Sequence, residues 1–165
     1  MANDFVFSSE ISALDLEPLM VKAMDDKEGH GWSLEKAKFV AAEYKKFLQL
    51  CLIYKDKAIV PTGEVDDFWH LHILDTQKYA EDCQTIFGYF LHHFPYFGMR
   101  GEEDSKNLHN SFEDTCKLYE KHFGVASKEV RELWGRVARC PNCGREVSED
   151  SSTVLKTSRP KLEVA

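Results

Sequence analysis

The most regular hydrophobic spacing in the chain lies between Ser33 and Tyr54, where Ala37, Val40, Tyr44, Phe47, Cys51 and Tyr54 recur at alternating steps of three and four. Lys36, Lys38, Lys45 and Lys46 fall off that stripe, so the pattern predicts one long amphipathic helix with a buried face. Ser33 is its N-cap, a residue type whose side-chain oxygen accepts from an otherwise unpaired helix N–H. An earlier helix is expected from about Glu17-Pro18, since proline suits a first turn, and Asp25 to Gly31 interrupts it. His30, set between two glycines, is read there as solvated. Residues 1 to 15 carry weak signals.

Beyond the long helix, Ala58 to Val60 reads as extended, because a residue before proline avoids the α region. Thr62 then caps a helix from about Gly63, with Glu64, Asp66 and Asp67 complementing the dipole of its first turns. Asp75-Thr76 caps a further helix on which Thr76, Tyr79, Cys83 and Phe87 share a face, and Gly88 stops it. Tyr89 to Gly98 is expected to be an ordered aromatic loop, and Met99 to Ser105 a flexible polar stretch. Leu108, Phe112, Cys116, Tyr119 and Phe123 mark a helix from about Lys106, ended by Gly124, and Ser127 caps a shorter one. Cys51 and Cys116 are read as core thiols, and His109 and His122 as surface residues.

These elements give an all-α fold: a single compact domain of five or six helices over residues 1–138, with a flexible C-terminal tail. A Cys-x-x-Cys segment resembling half a zinc knuckle occupies 139–145, and the Ser, Thr, Lys and Glu rich stretch 146–165 is expected to be disordered.

Composition narrows the function classes. With 165 residues and 43% hydrophobic content, the chain is long enough to bury a core without disulfides. Its net charge of −7, from 28 acidic and 21 basic residues, and its lack of a continuous basic patch argue against nucleic acid as a partner. No apolar run approaches the ~20 residues of a membrane span, and Met1-Ala2-Asn3-Asp4-Phe5 lacks a signal-peptide pattern. Five cysteines, an odd number, then favour a reducing cytoplasm. A protein partner or a small molecule is the expected ligand class, and a homo-oligomer is compatible with the sequence.

The chemistry concentrates in the helix that follows Thr62. Asp66 and His70, four apart, share a helix face, so the carboxylate can orient the imidazole or join it on a metal. His70 and His72 lie about 200° apart around a helix, so His72 is the weaker candidate, and His72, Asp67 and Asp82 are read as ordinary residues. A corner at Asp75-Thr76 is what would carry Cys83 toward His70. His92 and His93 point to opposite sides if extended, so one of them faces the centre. Cys140 and Cys143 have zinc-ligand spacing but form only two of four ligands, the others to come from Cys116, a histidine or a second chain.

Val60-Pro61-Thr62, Val65-Asp66, Trp69-His70, His72, Leu74-Asp75-Thr76, Tyr79, Asp82-Cys83, Phe87-Gly88, Phe90-Leu91-His92-His93 and Pro95 together form a pattern. It resembles the glycine-rich domain-containing protein-like (GRDP-like) family of plant, fungal and bacterial proteins. The likeness extends to Tyr44, Phe47-Leu48 and Phe112 to Gly124, and so covers about residues 33 to 124. The family pattern places its histidine at His93 and makes His70 more distinctive than His72. The glycine-rich tail that names many members is absent, and Cys140-Pro141-Asn142-Cys143 stands here instead. The family is named for sequence features, so the resemblance implies a fold and no reaction.

The expected site is thus built from His70, His93 and Cys83, with Asp66 as fourth ligand or as the carboxylate that orients them, a set suited to Zn²⁺. One alternative is a metal-free hydrogen-bonded network of Asp66, Trp69, His70, Tyr79 and His93 that locks the helices together. Another is catalysis without metal. The first functional reading is a small accessory or interaction domain with a His-centred site, and the second is a small metal-dependent enzyme, hydrolytic or modifying, using His70 and His93.

Overall fold

Side-chain caps set where most of the helices begin. In a computed structural model that describes residues 5–135 and 159–162, Ser33 accepts from Lys36 N–H, Thr62 from Val65 N–H, Asp75 from Lys78 N–H and Ser127 from Val130 N–H. Seven α-helices and no β-strand occur among the described residues: α1 (Ser9–Ala13), α2 (Glu17–Met24), α3 (Leu34–Ile53), α4 (Gly63–Leu74), α5 (Thr76–Phe87), α6 (Glu102–Phe123) and α7 (Lys128–Trp134). None of them is long and apolar enough to cross a membrane. The Cys140-x-x-Cys143 segment and all of the C-terminal stretch except 159–162 lie outside the described residues.

α3 is the central element, meeting α1, α2, α4 and α6, while α4 also meets α2 and α5. The α3 stripe of Ala37, Val40, Tyr44, Phe47 and Cys51 is buried as its spacing predicts. Against it α4 sets Phe68 and Trp69, both wholly inaccessible to solvent. The Trp69 ring meets Phe47 at 4.9 Å and the Phe68 ring meets Tyr44 at 5.3 Å. Such rings bury a large apolar area and dominate a small core.

Several local expectations change. α1 was not expected, because five residues are too few for a periodic signal, yet the Ser8 cap and the buried Ile11 hold it. α6 starts at Glu102 rather than Lys106, its first turn carrying Glu102, Glu103 and Asp104, where negative charge suits the helix dipole. Asp104 also accepts from the backbone N–H of Gly98 and Arg100 and pairs with the Arg100 guanidinium at 2.9 Å. That pins a stretch expected to be loose. Gly98 has φ +84°, and a Cβ there would run into the Leu108 side chain, so glycine is what lets the loop close onto α6.

Cys116 is half-buried rather than core, its thiol pushed up to about 11 by burial. Thr115 takes the inward place, its hydroxyl accepting from Val60 N–H at 3.0 Å and donating to the Ser111 carbonyl. Lys46 donates to Glu43 Oε1 and to the Tyr119 oxygen, each at 2.7 Å, and Tyr119 donates to Glu43 Oε2, which ties α3 to α6.

His122 is likewise not a simple surface residue. Its Nε2 lies 2.7 Å from the Tyr54 hydroxyl and its ring meets Phe5 at 5.7 Å. Burial, with the Lys121 charge adding to it, lowers its pKa from the ordinary value. The unfolded chain therefore binds this proton more readily, so the contribution is fully present above the unfolded value of ~6.5 and is lost as pH falls toward the lower folded value. Thermal melts between pH 7.5 and 5.5 should show wild type losing more stability than His122→Gln, and parallel curves would rule this out.

Candidate metal centre

The α4 helix presents two chemically distinct faces. Val65, Phe68, Trp69 and His72 run along the inner one, spaced as i, i+3, i+4 and i+7. His70 projects outward, its side chain 47% exposed, one turn after Asp66, whose side chain is 9% exposed. Asp75 ends α4, its backbone N–H donating to the Leu71 carbonyl, and caps α5 with its side chain, making the expected corner.

After α5, Gly88 closes the helix in a left-handed conformation and the chain turns back across α4. Leu91 is buried, His92 exposed and His93 half-buried, an alternation that sends His93 inward beside Asp66. The His93 ring rests against Trp69 at 4.8 Å.

Here three donor groups converge. His70 Nε2 lies 2.8 Å from His93 Nε2 and 3.3 Å from Asp66 Oδ2, while His93 Nε2 lies 3.1 Å from Asp66 Oδ1. One proton can bridge only two of these groups, whereas a cation between them satisfies all three. Around a tetrahedral Zn²⁺ with bonds of ~2.0–2.1 Å, neighbouring ligand atoms sit about 3.3 Å apart, so a slight spreading of the rings admits an ion. Among the described residues, Asp66, His70 and His93 are the group of three that can hold a metal. Asp67 stands half-buried alongside, its carboxyl pushed above the usual range by burial, with His30 and His70 opposing that and Asp66 and Glu64 adding to it. His30 itself is exposed and stacks on Trp32.

Cys83 does not join this group. The face of α5 that carries it turns into the core with Tyr79, and burial, against the opposing pull of the Leu91 backbone and the Tyr79 hydroxyl, keeps the thiol above its ordinary range. A neutral, apolar-packed thiol is a poor ligand, because metals bind the thiolate. The corner at Asp75 therefore brings α5 against the inner face of α4, not against His70. The network expected from Asp66, Trp69, His70, Tyr79 and His93 is divided likewise. Asp66, His70 and His93 meet on one side, Trp69 Nε1 donates to the Tyr79 oxygen at 2.9 Å on the other, and the Trp69–His93 ring contact joins the two.

His72 is the residue that sequence reading undervalued. It is 1% exposed, with Nε2 at 2.8 Å from Asp82 Oδ2 and Nδ1 at 2.8 Å from the Tyr44 hydroxyl. Burial lowers its pKa against the opposing pull of Asp82. In the neutral ring Nε2–H donates to the carboxylate, so Nδ1 accepts from Tyr44. The continuation of the Val65-Phe68-Trp69 stripe to His72 was the available signal.

Fold and site together define a class: a helical domain carrying a cluster of two histidines and one aspartate that can hold a metal ion. The chain belongs to the UCP032817-like family, which it matches over residues 8–133. It is also similar to glycine-rich domain-containing protein 1 of Arabidopsis thaliana, 33% identical over 88 residues, 51% of this chain and 10% of that protein. Glycine-rich domain-containing protein 2 of the same plant is 32% identical over 87 residues, 50% of this chain and 11% of that one. The matched region thus spans about a tenth of the length of these curated relatives. No solved structure matches the chain.

Proposed function

We propose that this domain holds one Zn²⁺ ion through Asp66, His70 and His93, and serves as an accessory module that presents the ion's open position to a protein partner or a small molecule. The observation that carries this is the meeting of two imidazole nitrogens 2.8 Å apart with one carboxylate, whose two oxygens lie 3.1 Å from His93 and 3.3 Å from His70, at a place where the His70 side chain is half exposed. Closed structural zinc sites have four protein ligands, whereas three leave a position for an outside group.

That open position also supports a second reading, a small metal-dependent hydrolase in which the ion supplies a water nucleophile near neutral pH. Cys140 and Cys143 would supply two ligands of a separate zinc site, the others coming from Cys116, a histidine or a second chain. Cys51, Cys83 and Cys116 are thiols rather than disulfides, which suits a cytoplasmic setting.

Elemental analysis and Zn²⁺ titration of the Cys140→Ser, Cys143→Ser double variant isolate the helical site. One ion per chain is expected, and no stoichiometric binding of any divalent metal would sink the proposal. Zn²⁺-loaded protein tested on chromogenic ester, phosphodiester and peptide substrates separates the two uses. Turnover that disappears in His70→Ala would favour the hydrolase.

A further inference from the structure

We propose that Tyr79 is the positioning residue of the centre, setting His93 against Asp66 and His70 by anchoring the backbone at Leu91. The consequence for metal rests on the reading given above, whereas the placement of His93 does not.

Of the three converging residues, Asp66 and His70 need no outside help, since one helix face brings them together. His93 is different, because it stands on a loop, and loops hold position only as well as their backbone groups are tied. Leu91, two residues before it, is buried and tied to α5, its carbonyl accepting from the Tyr79 hydroxyl. Tyr79 is itself fixed, being 1% exposed and accepting from Trp69 Nε1 at 2.9 Å. Trp69 in turn supplies the ring surface against which His93 rests.

α4 thus offers Asp66 and His70 from one face and, through Trp69 and Tyr79, holds from the other the loop that brings the third ligand. The bond at Leu91, the Trp69 ring and the alternating direction of Leu91, His92 and His93 leave the His93 ring little freedom to swing away.

Tyr79→Phe keeps the ring and removes only the O–H, and it tests the proposal directly. In metal-free protein the Leu91 amide should exchange faster and the His93 ring signals should shift or broaden. Zn²⁺ affinity should fall about ten- to a hundredfold, the usual loss when a group that orients a ligand is removed. Tyr119→Phe is the control: that hydroxyl is buried and bonded to Glu43, on a different helix pair, so stability should drop while affinity holds.

Unchanged Leu91 and His93 signals in folded Tyr79→Phe overturn the proposal, as does an equal loss of affinity in Tyr119→Phe. If wild type binds no metal, the zinc reading falls and the NMR signals still decide whether Tyr79 places His93. Should Tyr79→Phe fail to fold, wild type carries the test: the Tyr79 hydroxyl proton should exchange slowly and show coupling across its hydrogen bond to the Leu91 carbonyl, and a rapidly exchanging Tyr79 hydroxyl overturns the anchoring of Leu91.

Discussion

Asp66→Asn should lose Zn²⁺ binding by more than about a hundredfold while remaining folded, a larger effect than the ~10–100-fold cost of losing an orienting group. The amide has the shape of the carboxylate but no charge, and Asp66 is the member of the cluster that faces both imidazoles, at 3.1 and 3.3 Å. It also carries the negative charge that balances the ion among otherwise neutral ligands. Without the carboxylate, two imidazoles remain, one of them half exposed. Competition against a chromogenic chelator, with circular dichroism to check the fold, makes the measurement. Wild-type affinity in Asp66→Asn would remove this site from consideration.

Trp69→Ala should lower unfolding free energy by about 3–5 kcal/mol, the range for deleting a large buried aromatic side chain. Trp69 is the largest of the fully buried side chains. Its loss opens a cavity between Phe47 and the His93 ring, and deprives the Tyr79 oxygen of its donor. Since small domains are stable by only ~5–15 kcal/mol, the variant should unfold at much lower urea. Trp69→Phe should keep most of the packing and lose less. A drop below about 1 kcal/mol in Trp69→Ala would mean that α4 does not depend on this ring.

Much of this was legible because it depends on local rules. The α3 stripe, the Ser33, Thr62 and Asp75 caps and the Gly88 stop each follow from a few neighbouring residues, and all stand where their side chains put them. The shared face of Asp66 and His70 follows from four-residue spacing alone. What was hidden depends on which side of α5 meets α4. Helical geometry shows that Tyr79 and Cys83 share a face, but only packing decides that this face turns to Trp69 rather than to His70. For the same reason His72, set aside for lying opposite His70, lies at a buried junction with Tyr44 and Asp82. The start of α6 was missed because Asp104 stabilises it through Gly98 and Arg100, a turn whose polar composition resembles that of a loose linker.

Asp66 and His93 are 27 positions apart in the chain, with the whole of α5 and the Gly88 turn between them. An ion shared by the two would close that segment into a ring in the folded chain alone, because the ligands separate on unfolding and release it, so its whole affinity would count toward the folded state. Binding and folding then become one equilibrium, in which stability rises with free metal concentration. The cell's supply of the ion, as much as the amino-acid sequence, would set how firmly α4, α5 and the aromatic loop hold together.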